Sequence, residues 1–208
     1  MIARWFYVAM KKSVKESLCW ILDWPFFYHP PFQWIKTRAL NGFFGANLAP
    51  DCVLMPGVRA VNWRNVSLDF GAYLADGVNL RSHGPIKIGP WTTIGPEAML
   101  ASGGHSTSDL APTNSPITIG KGVFVGARAL ILEGVTIGDH AMIGAGAIVV
   151  RNVPPLAIAV GSPAKVIAYR DMPERVWTVT GMRDLKGEVF RDVPSDASCP
   201  AFSTHDAI

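Results

Sequence analysis

The sequence predicts an all-β solenoid: a parallel β-helix of about five triangular coils, with a helical segment before it and a short extension after it. Three observations predict this fold. An aliphatic residue recurs at every sixth position, a glycine often follows it, and extra residues fall at one recurring place. From Ile119 the steps are Ile119, Val125, Ile131, Ile137, Ile143 and Val149, all β-branched, with glycine at 120, 126, 138 and 144. The same phase holds in Ile88, Ile94 and Leu100, with Gly89 and Gly95, and more weakly in Leu68, Leu74, Leu80 and Leu48, Leu54, Ala60. A period of six fits neither an amphipathic helix nor an alternating strand. It fits short strands joined by corners, each repeat giving one aliphatic to a shared interior. The glycines are expected to supply backbone freedom at those corners.

In chain order, residues 2–22 place Ile2, Trp5, Phe6, Ala9, Val14, Leu18 and Ile21 at helical spacing. Pro25, Pro30 and Pro31 end that helix, and Gln33–Asn41 forms a second, short one before Gly42. A bare solenoid end exposes unpaired strand edges, so a cap is required. Two readings of residues 1–47 stand: a cap, or a membrane-facing segment with peripheral contact through residues 2–28, where Trp5, Phe6, Trp20 and Trp24 accompany lysines.

Residues 48–168 are the solenoid. Its hexapeptides group into the triplets 48-54-60, 68-74-80, 88-94-100, 119-125-131 and 137-143-149, separated by steps of 8, 8, 19 and 6. Each coil therefore has 18 residues, and every insertion falls at the same corner. The long one, Ala101–Thr118, carries Ser-Gly-Gly-His-Ser-Thr-Ser-Asp. Irregular insertions on one side of a repeat array are where function usually resides. Residues 169–208 form an extension with a further short helix or strand, then a polar, disordered tail from about 192.

Composition narrows the function. Of 208 residues, 49% are hydrophobic and 17% charged, so a wholly disordered chain is excluded. A net charge of +3, with no like-charge block longer than Lys11-Lys12, gives no footprint for nucleic acid. Cys19, Cys52 and Cys199 are odd in number and lack metal-ligand spacing, which fits a reducing compartment. The apolar run Leu18–Tyr28 holds Asp23 and Pro25 and is too short to span a bilayer, so the expected location is cytoplasmic, with peripheral membrane attachment as the variant. Nucleotide hydrolysis and hydride transfer have no motif.

His105 is the leading chemical candidate. It lies in the long insertion next to Gly103-Gly104, and imidazole is the natural general base near neutral pH. Asp109 or a loop carbonyl would fix its tautomer. His83 occupies the same corner one coil earlier. His140 is expected to be a solvated corner residue, and Trp63 and Trp91 to cover the coil. Arg128, Arg151 and Lys165 are basic residues near the later coils.

Ile-Thr-Ile-Gly-Lys-Gly-Val-Phe-Val-Gly-Ala, Gly-Val-Thr-Ile-Gly-Asp, Ile-Gly-Ala-Gly-Ala-Ile-Val, Val-Pro-Pro and Val-Gly-Ser-Pro-Ala-Lys-Val-Ile resemble the hexapeptide-repeat acyltransferases over about Phe44–Tyr169. Within them the chain is most similar to sugar O-acetyltransferases, and to the colanic-acid type of exopolysaccharide acetyltransferase through Phe44-Gly45-Ala46, Pro56-Gly57-Val58-Arg59, Trp63-Arg64-Asn65 and the His105 loop.

The resemblance implies a left-handed parallel β-helix, a homotrimer with active sites between subunits, acetyl-CoA as acyl donor, a saccharide acceptor and no metal. It places the catalytic base on His105. It places the donor site on Phe124, Ala127 and Ala145, with Arg151 and Lys165 toward the CoA phosphates. Galactoside and maltose acetyltransferases carry an acceptor-binding Asn where this chain has Ala75, so Asp76, His83 and Asp109 become the acceptor-side candidates. The alternatives are a non-sugar acceptor on the same donor chemistry, a non-catalytic scaffold, and a zinc carbonic anhydrase, which needs three histidine nitrogens on one metal.

Overall fold

The aliphatics at six-residue spacing become three ladders inside a triangular prism. The computed structural model describes residues 33–171 and the strands Arg175–Thr178 and Gly181–Asp184. Face 1 stacks the strands Asn47–Leu48, Val66–Leu68, Ile86–Ile88, Ile117–Ile119 and Thr136–Ile137. Face 2 stacks Val53–Leu54, Tyr73–Leu74, Thr93–Ile94, Phe124–Val125, Met142–Ile143 and Ala157–Val160. Face 3 stacks Arg59–Ala60, Asn79–Arg81, Met99–Ala101, Leu130–Leu132 and Ile148–Val149.

All pairing between successive coils is parallel, and the register sets like on like. Ile119 faces Ile88 and Ile137, Val125 faces Ile94 and Ile143, and Ile131 faces Leu100 and Val149. Each of these side chains is fully or almost fully buried. Burial of each contributes about 1.5–3 kcal/mol, and most of it is against the coils above and below.

The prism has about six turns, one more than the five expected. Val153 bridges to Ile137, and Ala157–Val160 pairs with Met142–Ile143, which begins a sixth coil. The chain then reverses, and Lys165–Tyr169 pairs antiparallel with Ala157–Val160. The sixth coil escapes the six-residue pattern because the step from Val149 to Val153 is four and the ladder residue after Val153 is Ala159. The extension adds the antiparallel pair Arg175–Thr178 and Gly181–Asp184, strand rather than helix.

The corner glycines also act differently from expectation. Gly95 and Gly126, which follow ladder aliphatics, are not in the left-handed region; they are needed because the next coil passes too close. A Cβ on Gly126 would lie 2.5 Å from the Ala145 nitrogen, and one on Gly95 2.7 Å from the Val125 oxygen.

The left-handed positions lie elsewhere, and many hold other residues: Trp91, His140 and Leu156 between faces 1 and 2, Glu97 and Arg128 between faces 2 and 3. A non-glycine residue there costs about 1–2 kcal/mol. Each donates its N–H to the preceding coil: Trp91 to Phe70, His140 to Lys121, Leu156 to Asp139, Glu97 to Asp76 and Arg128 to Pro96, at 2.7–2.9 Å.

His140 is a correction: its ring is fully buried, not solvated. The sixth coil, whose Leu156 stacks on the same corner, covers what would be a terminal surface in a five-coil prism. Trp63 is buried in a 3₁₀ turn, Trp63–Asn65, and covers its coil. Trp91 meets Phe70 edge-on, with the Lys121 ammonium 5.2 Å from its ring centre.

The helix α1 (Gln33–Phe44) closes the first coil. Leu40 and Phe44 join the core, and the Lys36 ammonium, also buried, donates to the Leu54 carbonyl at 3.4 Å. The Asn41 amide replaces a missing strand neighbour: it accepts from Leu48 N–H (2.9 Å) and donates to Leu48 C=O (2.8 Å). The helix runs through Gly42 to Phe44, beyond the expected end at Asn41, because burial of Phe44 offsets the roughly 1 kcal/mol cost of an exposed helical glycine. It stops at Gly45, whose φ of +68° lets Gly45 and Ala46 donate back to Asn41 and Leu40. The helix expected over 2–22, its membrane-facing reading and the tail beyond 192 lie outside the described residues.

Candidate active site

The insertion leaves the solenoid between faces 3 and 1 and is rooted by serines. Ser102 is completely buried; its hydroxyl accepts from Gly84 N–H (3.1 Å) and donates to Gly84 C=O (2.8 Å). Ser82, its counterpart one coil earlier, holds Asn62 in the same way. Gly103 then passes over His83: a Cβ on Gly103 would stand 2.6 Å from the His83 Cβ. The Asn65 amide fixes the His83 backbone, donating to the carbonyls of Ser82 (2.9 Å) and His83 (2.8 Å). His83 and the His105 loop therefore share one edge of the prism.

Gly104–His105 pairs with Pro112–Thr113 as a short antiparallel hairpin, His105 opposite Pro112. Ser106 N–H donates to Ala111 C=O and Leu110 N–H to Ser106 C=O. The Leu110 backbone is left-handed (φ +57°) with its side chain 75% exposed. That conformation aims the Leu110 carbonyl at His105 Nδ1, 2.9 Å away. A carbonyl can only accept, so Nδ1 carries the proton in this bond and a neutral ring presents the Nε2 lone pair.

The tautomer is thus fixed by a loop carbonyl rather than by Asp109. The Asp109 carboxyl is held below the ordinary carboxylate range by the Ser106 hydroxyl first and the Ala111 N–H second, so it shapes the turn. Sequence reasoning did not find Glu133. Its carboxylate accepts from Thr113 Oγ1 (2.5 Å) and from Ser115 N–H (3.2 Å), tying the returning arm of the hairpin to the coil below. The available signal was that Glu133 is the one acidic residue between Leu110 and Gly138.

The remaining predicted residues lie elsewhere. Asp76, Ala127 and Ala145 line the corner between faces 2 and 3, where Gly77, Glu97, Arg128 and Gly146 take the left-handed positions. Arg128 is paired there with Glu97 at 2.6 Å, both exposed. Phe124 points outward from face 2, 45% exposed. Arg151 and Lys165 are exposed beyond the last strand of face 3 and at the start of the reversing strand. Ala75 is buried and has no polar group to offer.

Within one chain Asp76 and His83 flank opposite ends of the face 3 strand Asn79–Arg81, Asp76 in the turn before it and His83 in the bend after it. The alanine edge and the histidine edge are separate edges. Between them the outer side of face 3 carries Arg59, Asn79 and Arg81 in its first two coils and Met99, Leu130, Leu132, Ile148 and Val150 in the later ones, whereas face 1 shows Asn47, Ser67, Lys87, Thr118 and Thr136.

The bacterial transferase hexapeptide family, of six repeats, matches residues 116–151. A relative from Escherichia coli K12, named as the colanic acid biosynthesis acetyltransferase WcaF, is 30% identical over 161 residues, covering 76% of this chain and 88% of the relative. The chain belongs to the hexapeptide-repeat acetyltransferases. A solved maltose O-acetyltransferase from Clostridium difficile 630 superposes on this acetyltransferase with a TM-score of 0.64 at 26% identity, over 76% of this chain and 88% of that one. A galactoside acetyltransferase solved in complex with coenzyme A gives 0.60 at 28% identity, over 69% and 74%. Among the described residues of this acetyltransferase no three His, Cys, Asp or Glu side chains cluster to hold a metal ion, and no helix is long and apolar enough to cross a membrane.

Proposed function

We propose that the protein is an acetyl-CoA-dependent O-acetyltransferase acting on a saccharide, with residues 48–168 as its catalytic unit and His105 as general base. The observation that carries this reading is the Leu110 carbonyl on His105 Nδ1, which leaves Nε2 as the proton acceptor. Nε2 takes the proton of a sugar hydroxyl while that oxygen attacks the thioester carbonyl of acetyl-CoA. The tetrahedral intermediate collapses by breaking the carbon–sulfur bond, and the imidazolium returns its proton to the departing CoA thiolate. No enzyme nucleophile is required.

The donor follows from the coenzyme A in the related galactoside acetyltransferase. Phe124, Ala127 and Ala145 line its pantetheine arm, and Arg151 and Lys165 meet its phosphates. Asp76, His83 and Asp109 face the acceptor. The buried Ala75 supports an acceptor other than galactosides and maltose. Because the histidine edge and the alanine edge are separate, the site is completed between subunits of a homotrimer packed through the outer side of face 3, which is apolar in its later coils. The reaction is cytoplasmic, where acetyl-CoA is made.

The test is thermal unfolding with and without acetyl-CoA, joined to thiol release on a panel of p-nitrophenyl glycopyranosides. Donor at about 100 times its dissociation constant stabilises by roughly 2.7 kcal/mol, raising the midpoint of wild type and His105→Ala alike. His105→Ala lowers turnover by about 10²–10⁴-fold. No midpoint rise in either protein, or full turnover in His105→Ala, removes the reading.

A further inference from the structure

We propose that Glu133 is a positioning residue that sets where the His105 imidazole stands against the solenoid; this rests on His105 being the base. The hairpin carrying His105 is two residues long on each side, and the residue opposite His105 is Pro112, which has no N–H to donate. A pair this short does not hold its own geometry in water. Something outside it must fix its angle to the coils.

Glu133 stands where that support is needed. It follows the face 3 strand Leu130–Leu132, in the coil next after the insertion. One carboxylate oxygen accepts the Thr113 hydroxyl at 2.5 Å and the other accepts Ser115 N–H at 3.2 Å. The first oxygen also lies against the outgoing arm: a Cβ on Gly104 would be 2.7 Å from it. Gly104 and Thr113 are the register pair next to His105 and Pro112. One side chain therefore touches both arms of the hairpin one residue away from the base.

The chemistry of the grip allows a discriminating variant. Glutamine keeps both contacts, because its carbonyl accepts Ser115 N–H and its NH₂ donates to the Thr113 oxygen, the hydroxyl being able to accept as well as donate. Alanine keeps neither. A base displaced by about 1 Å loses on the order of 10²-fold in rate.

The experiment compares wild type, Glu133→Ala, Glu133→Gln, Thr113→Val and His105→Ala. Turnover is measured with acetyl-CoA and a p-nitrophenyl glycopyranoside, and long-range proton–nitrogen spectra report the imidazole nitrogens, the His105 signals being assigned by their loss in His105→Ala. The expected result is kcat lowered about ten- to a hundredfold in Glu133→Ala, with KM for acetyl-CoA unchanged. Its His105 signals should move from a single Nδ1–H tautomer to an average of both. Glu133→Gln stays near wild type in both readouts, and Thr113→Val falls between.

Wild-type kcat and tautomer in Glu133→Ala overturn the proposal, as does a Glu133→Gln variant as impaired as Glu133→Ala. If Glu133→Ala does not fold, an unimpaired Thr113→Val overturns it. Full activity in His105→Ala instead strikes the underlying reading, whatever Glu133 does.

Discussion

Leu110 has an exposed side chain and a carbonyl that holds His105, the proposed base, so two substitutions there should part sharply. Leu110→Pro is the disruptive one. Proline holds φ near −65° and cannot reach the observed +57°, so the carbonyl swings away from His105 Nδ1. It also removes the N–H that bonds Ser106 C=O, and it pushes Asp109 toward extended backbone. The stability cost is small: one exposed hydrogen bond, about 1 kcal/mol, and little apolar burial, since the side chain is 75% exposed. The catalytic cost is large. A base that loses its orienting partner drops about 10²-fold for a misplacement near 1 Å, and up to about 10⁴-fold where the wrong tautomer results, as in the serine-protease triad.

Leu110→Gly is the control. Glycine takes a φ of +57° without the roughly 1–2 kcal/mol penalty, so the carbonyl stays in place and the fold is as stable or slightly more so. The assay is CoA thiol release under saturating donor, with thermal midpoints of both variants alongside. The expected outcome is Leu110→Pro at or below about 1% of wild-type kcat with a nearly unchanged midpoint, and Leu110→Gly within a few fold of wild type. Equal losses in the two variants would show that the leucine side chain matters rather than its carbonyl. Full activity in Leu110→Pro would show that His105 needs no such partner.

Two further outcomes concern stability. Ser102→Ala leaves the buried Gly84 N–H and C=O without their hydroxyl, costing about 1–3 kcal/mol and lowering the midpoint by several degrees; Ser82→Ala should cost less, because Asn62, the partner it loses, is exposed to water, and a silent Ser102→Ala refutes the root role. The Cys52 thiol is pushed up to about 12, by burial first and the nearby Asp51 carboxylate second, and its Sγ–H donates to Asp69 C=O at 3.2 Å. It should resist iodoacetamide at pH 8.5 until the protein is unfolded. Because the native thiol keeps its proton after the unfolded one loses it near 8.5, its linkage lowers stability as pH rises above 8.5, and Cys52→Ala should show a shallower alkaline decline in denaturant midpoints.

The coils were legible because each six-residue step buries one aliphatic, so interior packing writes itself onto the sequence at Ile119 through Val149. The His105 loop was legible as a thirteen-residue excess at one corner. Other features left no such trace. Val153 and Ala159 continue the ladder after an irregular step of four, and without that sixth coil His140 read as a solvated residue. The partner of His105 is a main-chain carbonyl, which any residue at 110 carries, so residue identity could not reveal it. Glu133 meets Thr113 and Ser115 from 20 and 18 positions away, a separation meaningful only once the register after the insertion is known.

The same register explains why the loop stands at this corner. Between faces 1 and 2, and between faces 2 and 3, a left-handed residue in each successive coil donates its N–H to the coil before it: Trp91, Gly122, His140 and Leu156 at one corner, Gly77, Glu97, Arg128 and Gly146 at the other. An extra residue would break that rung and throw the next ladder aliphatic to the outside, since a one-residue slip in a strand reverses its faces. The corner between faces 3 and 1 has no such repeated rung; outside the loop its left-handed residue is Gly134. There the chain is bound instead by side chains, Ser82, Ser102 and Glu133, which reach across different lengths of loop. Variable length and side-chain anchoring go together at this edge, which is why His105 on a thirteen-residue excursion can be held to a rigid prism without disturbing the coils on either side.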